Sequence, residues 1–66
     1  MRITINGRQK KFEDNPNLRN IINQFCRDTE HVIAEVNGQI VQSQKWTGQI
    51  LKHGDKVELI NFVGGG

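Results

Sequence analysis

Three consecutive glycines, Gly64, Gly65 and Gly66, occupy the last positions of the sequence, directly behind an apolar run. Glycine adds nothing to a core and loses more conformational freedom on ordering than any other residue. Two readings follow. One is a frayed end with no role. The other is access: a segment without side chains can thread a narrow enzyme channel and present the α-carboxylate of Gly66. A terminal carboxylate, with a reference pKa of about 3.3–3.7, is ionised and a poor acyl donor at neutral pH. It must be activated from outside, for instance by adenylation, before a sulfur or nitrogen nucleophile attacks its carbonyl. The chain would then be substrate and carrier, and a partner would supply catalysis.

The remaining chemistry-bearing residues form no such pattern. His31 and His53 sit at predicted strand or turn edges, and neither has a Cys, His, Asp or Glu partner at a recognised metal spacing. His53-Gly54-Asp55 is turn chemistry before it is ligand chemistry. Cys26 falls on the apolar stripe of a predicted helix, where a free cysteine acts as a small apolar residue. A nucleophile would need an adjacent base and partial exposure. The carboxylates Glu13, Asp14, Asp28, Glu30, Glu35, Asp55 and Glu58 are scattered, with no pair expected on a common face. No catalytic residue and no metal-ligand set is expected, so this reads as no self-sufficient enzyme.

Length and charge agree. Sixty-six residues make one domain that buries only about 60% of the surface it exposes unfolded, with no room for a deep cleft. The single cysteine excludes an internal disulfide, no apolar run reaches membrane-span length, and Met1-Arg2-Ile3-Thr4 opens no signal peptide. A small cytoplasmic domain is expected, with no membrane partner and monomeric when free. Nine basic against seven acidic residues leave a net charge of +2, too little to argue for nucleic acid. Arg2, Arg8, Lys10 and Lys11 nonetheless allow a local basic strip.

The elements that must position the glycines follow from periodicity. Residues 2–6 alternate polar and apolar, and Asn6-Gly7 suits a type I′ turn into a returning strand that ends on an inward Phe12. Asp14-Asn15-Pro16-Asn17 is turn and helix-start chemistry, with an Asn able to cap and a proline tolerated in the first turn. Leu18, Ile21, Ile22, Phe25 and Cys26 form the helix's apolar stripe. Val32, Ala34 and Val36 share one face of a short strand, Asn37-Gly38 turns it, and Ile40-Val41 resumes. Gln42 to Gly48 reads as a loop or one helical turn pinned by Trp46. Lys56 to Val63 is the last strand, nearly continuous in apolar character and therefore central. A hairpin, one crossing helix and a last strand parallel to the first give an α+β fold. It is the ubiquitin-like β-grasp: a mixed sheet of four to five strands wrapped on one main helix, over residues 1–63. Residues 64–66 are left as a flexible glycine tail.

On the last strand, Val57 and Leu59 are expected to face the helix, which turns Ile60 and Phe62 the other way. With Val63 they would form a partner-docking patch beside the tail, unless the short strand pair or the Trp46 loop covers them.

Several segments carry a family likeness over essentially the whole chain: Met1-Arg2-Ile3-Thr4-Ile5-Asn6-Gly7, Val36-Asn37-Gly38-Gln39-Ile40-Val41 with Trp46 behind it, Gly54-Asp55-Lys56-Val57, and Val63-Gly64-Gly65-Gly66. Together they resemble the ThiS-type sulfur carrier proteins of thiamine biosynthesis. The chain departs from that pattern at Gln42, where the family often has proline, and at Gly64, a third glycine ahead of the usual pair. The resemblance implies that an E1-like enzyme, using ATP and Mg, adenylates Gly66, which carries the acyl group while Gly65 and Gly64 give access; this chain binds no cofactor itself. A sulfur donor such as a persulfide-bearing protein would convert the adenylate to a thiocarboxylate, and thiazole synthase would accept the sulfur. Carriers for molybdopterin synthesis or tRNA thiolation, and ubiquitin-like modifiers, share this chemistry. A plain β-grasp binding module is the alternative of another class.

Overall fold

Arg2–Ile5 forms β1, with Ile3 and Ile5 buried as the alternation requires. The computed structural model describes residues 1–61. Asn6 and Gly7 have φ of 50° and 83°, the two positive values that a type I′ turn needs. The chain returns as β2 (Arg8–Lys11), antiparallel to β1, with Arg2 opposite Lys11 and Ile3 opposite Lys10. This edge strand is exposed along its whole length, and its basic side chains discourage pairing with another chain. Phe12 lies just past it, packed against the core as expected. The basic residues do not form one strip. Arg2 and Lys11 share one face, while Lys10 shares the other with Ile3 and lies 5.8 Å from the centre of the Phe25 ring.

The helix α1 (Leu18–Phe25) starts at Asn17, whose side chain accepts a hydrogen bond from the Asn20 N–H at 2.8 Å. Leu18 N–H donates to the Gln49 carbonyl at 2.8 Å and Arg19 N–H to the Trp46 carbonyl at 3.3 Å. The donors that a first helical turn leaves without intrahelical partners are therefore answered. Pro16 stands before the cap, outside the first turn, and its carbonyl accepts from Leu51 N–H at 2.8 Å. Leu18, Ile21 and Ile22 are fully buried. The expected stripe is only partly realised: the helix ends at Phe25, and Cys26 is already extended (φ −123°, ψ 134°). Cys26 still reaches the core, but Phe25 remains 39% exposed at the rim beside Lys10.

β3 (Val32–Val36) and β4 (Gln39–Val41) are joined by Asn37-Gly38, again with two positive φ values, 52° and 84°. A single 3-10 turn (Ser43–Lys45) follows, and Trp46 closes it. The indole is buried, and its Nε1–H donates to the Val41 carbonyl at 2.9 Å, so its one polar group is satisfied. β5 (Lys56–Asn61) takes the centre of a five-stranded sheet of order β2-β1-β5-β3-β4, parallel to β1 and antiparallel to β3. Ile3, Ile5, Ala34, Val36, Val57 and Leu59 pack from the sheet against Leu18, Ile21 and Ile22. Cys26, Trp46 and Leu51 belong to the same core. This is the expected layout, with five strands. Among the described residues no helix is long and apolar enough to cross a membrane.

Candidate functional site

β5 precedes the glycines in sequence, and its two faces differ. Val57 and Leu59 turn to the helix and are buried; Glu58 and Ile60 turn away from it. Ile60 is 47% exposed. Directly opposite it on β3 stands Ile33, at 37%, and Ile40 on β4 continues the same face at 67%. The short strand pair therefore extends the apolar surface and does not cover Ile60. Trp46 belongs to the core on the helix side of the sheet. Phe62, Val63, Gly64, Gly65 and Gly66 lie outside the described residues.

Beside the isoleucines, Glu35 and Glu58 face each other across the β3–β5 ladder. Like charges directly opposite in a sheet oppose pairing. Among the described residues neither glutamate has a basic group within ion-pair distance.

Both Asn-Gly turns reach β5 through their asparagine side chains. Asn37 acts at the strand's entry: its Oδ1 accepts from Lys56 N–H at 2.9 Å, and its Nδ2 donates to Asp55 Oδ1 at 3.1 Å. Asn6 acts near the exit. Its Oδ1 accepts from Leu59 N–H at 2.7 Å, and its Nδ2 donates to the Leu59 carbonyl at 3.2 Å. The dipeptide signal identified the turns; it carried no information on where the carboxamides would point.

The other candidate groups lie elsewhere. Cys26 is buried, and desolvation pushes its thiol above the ordinary range, the opposite of nucleophile activation. His53 Nδ1 accepts from Arg2 N–H at 2.9 Å, which ties the turn to the start of β1. His31 has one carboxylate partner, at no metal-ligand spacing: Asp28 Oδ2 is 2.7 Å from its Nδ1. The spacing of three residues in a non-helical loop carried no recognised motif. That hydrogen bond, and then the Asp28 charge, raise the His31 pKa; reciprocally the bond to His31, followed by one from Glu30 N–H, lowers that of Asp28. Among the described residues no three His, Cys, Asp or Glu side chains converge on a metal-sized site. Two open depressions of about 710 and 590 Å³ flank β4, the larger lined by Trp46, Val41, Ile33 and Arg19 among others.

A family model, that of the ThiS family, matches residues 3–66. The chain belongs to the ThiS family. Its fold is superimposable on solved relatives of this ThiS-family chain. The crystal structure of thiamine biosynthesis protein ThiS from Geobacter metallireducens matches with a TM-score of 0.85 and 28% identity, covering 100% of both chains. An NMR solution structure of a thiamine biosynthesis protein from the same organism matches at 0.79 and 26%, covering 100% of this chain and 88% of the other. Two sequence relatives are each 29% identical to it. One is a thiazole synthase of Paramagnetospirillum magneticum, aligned over 66 residues. This is all of the ThiS-family chain but 20% of that protein's length. The other is the uncharacterized protein ycf40 of Trieres chinensis, aligned over 62 residues, 94% of this chain and 85% of that one.

Proposed function

We propose that the chain is a sulfur carrier of thiamine biosynthesis, thiocarboxylated at Gly66 and donating its sulfur to thiazole formation. The observation that carries this reading is the extent of the ThiS family match, which continues through the three glycines to Gly66. The thiazole client is favoured over molybdopterin or tRNA thiolation by two kinds of relative. The solved neighbours are thiamine biosynthesis proteins, and a thiazole synthase contains a segment similar to the whole of this chain.

The chemistry runs through partners. In an E1-like enzyme that binds ATP and Mg, a carboxylate oxygen of Gly66 attacks the α-phosphorus and pyrophosphate leaves. A donor's sulfur nucleophile then attacks the acyl carbon of the adenylate, and AMP departs. Where the donor is a persulfide, a second thiol must break the S–S bond to leave the thiocarboxylate. Adenylation supplies the leaving group that the free carboxylate lacks. Gly65 and Gly64 let the backbone pass, and the face bearing Ile33, Ile40 and Ile60 holds the partner; Phe62 and Val63 share that docking role. The chain itself is carrier and co-substrate.

The test is the intact mass of the protein isolated from its own host. A gain equal to exchange of one oxygen for one sulfur, mapped to Gly66, supports the carrier role. An unmodified carboxylate after incubation with ATP, the adenylating enzyme and a sulfur donor overturns it in favour of a binding module.

A further inference from the structure

The register of the sheet sets the facing glutamates among the exposed isoleucines. Glu58 on β5, Glu35 on β3 and Ile40 on β4 stand in one row across the strands, each opposite the next. Ile60 and Ile33 form the neighbouring row, two residues along the same strands and on the same face. The two glutamates are half-buried, whereas the three isoleucines are exposed. Lys56 shares this face two positions before Glu58, yet it makes no ion pair with either glutamate. Residues 62–66 contain no basic side chain. From Ile60 to Ile40 the patch spans two strand spacings, about 10 Å. A standard protein–protein contact covers about 800 Å² on each partner. A partner that covers the isoleucines therefore covers both glutamates, whose short arms cannot carry their charges out to its rim.

We propose that the adenylating enzyme seats an arginine between Glu35 and Glu58 when it docks on this face; this rests on the carrier reading above. A wholly apolar cover would take two like charges out of water with no counterion, which opposes binding. Arginine fits better than lysine. Its planar fork carries five donors, enough for two carboxylates on directly opposed residues, whose Cβ atoms lie about 4.5–5.5 Å apart. Its weakly hydrated guanidinium also packs against apolar neighbours such as Ile33 and Ile60. The incoming cation removes the repulsion that the free sheet carries. The pair thus weakens the chain alone and strengthens the complex, and it turns away a partner whose matching patch is acidic or wholly apolar. The chain's net charge of +2 would by itself favour acidic partners, so this preference is local to the face.

Glu35→Gln combined with Glu58→Gln keeps the shape of both arms and removes both charges. Glu13→Gln combined with Asp14→Asn makes the same change in net charge from the exposed loop before α1. The readouts are calorimetric affinity for the cognate adenylating enzyme, thermal melts, and adenylation of the wild-type chain. The sheet-face variant is expected to melt no lower than wild type and to bind at least about tenfold more weakly. The loop variant should bind like wild type. Glu58→Lys, which sets opposite charges across the ladder, should keep its fold and bind more weakly still. Loss of affinity without loss of stability is the opposite of what a merely structural role would give. Unchanged affinity of the sheet-face variant, or an equal loss in the loop variant, would overturn the proposal and leave the carrier reading standing if the wild type is adenylated. Self-association of the wild type in sedimentation, undone in the sheet-face variant, would give the face to a second copy and also overturn it. A wild type neither bound nor adenylated removes the carrier reading and this contact with it.

Discussion

Ile33 on β3 and Ile60 on β5 stand directly opposite each other and both project from the sheet face that the helix leaves bare. Each is roughly half wet. Their inward neighbours in the same register, Ala34 and Leu59, are buried. One ladder therefore separates the residues that hold the fold from those free to meet a partner. Ile60 also precedes the glycines by only a few positions in sequence.

Replacing Ile60 with Arg is expected to change stability by less than about 1 kcal/mol, as for substitutions outside the core. Affinity for the adenylating enzyme should drop at least about tenfold, because the substitution sets a charge into an apolar contact. Titration calorimetry with a thermal melt checks both. Wild-type affinity would remove this face from the docking surface.

The facing glutamates should cost the free protein stability. Glu58→Gln relieves a like-charge cross-strand pair, worth about 0.2–1 kcal/mol. For a chain of this size that raises the melting temperature by a few degrees, at roughly 4–8 °C per kcal/mol. The gain should shrink near 1 M salt, where the screening length is about 3 Å. An unchanged melt at low salt would show that the two carboxylates do not repel measurably.

Removal of Gly65 and Gly66, or Gly66→Ala, should leave the melting temperature where it is, since glycine has no side chain to give to a core. Deletion should abolish thiocarboxylate formation and Gly66→Ala should slow adenylation, both read by intact mass after reaction with ATP and the enzyme. Unchanged adenylation of Gly66→Ala would sink the channel-threading argument.

The Asp28–His31 pair gives a pH signature. The raised histidine contributes stability that is full below its unfolded value and is lost as pH rises through its folded value. The lowered carboxyl contributes stability that is full above its unfolded value and is lost as pH falls through its folded value. The contact thus steadies the loop before β3 between these two titrations. By NMR the His31 ring should titrate above about 6.5, and Asp28→Asn should bring it back toward that value. Both side chains are more than half exposed, so global stability should barely respond. A His31 midpoint unmoved by Asp28→Asn would show that the contact is not populated in solution.

The sequence by itself determined whatever depends on neighbours along the chain. Ile3 and Ile5 alternate because side chains on a strand alternate, Leu18, Ile21 and Ile22 fall on one side of a helix, and both Asn-Gly pairs announce turns with positive φ. These local signals, with the family likeness of the segments from Met1 to Gly66, were enough to reach the β-grasp and the glycine end. The tertiary structure decided what depends on residues distant along the chain. Phe25 ends the helix on the apolar stripe yet stays 39% exposed beside Lys10 of β2, because what lies across from a stripe position is not written in its periodicity. Ile33 and Ile40 joined Ile60 only through the order and register of β3, β4 and β5. Asn6 found Leu59, fifty-three positions away, because β1 turns where β5 continues. A carboxamide bonds to any peptide group brought within about 3 Å. Local sequence sets the turn that carries it, and only the assembled sheet selects the partner.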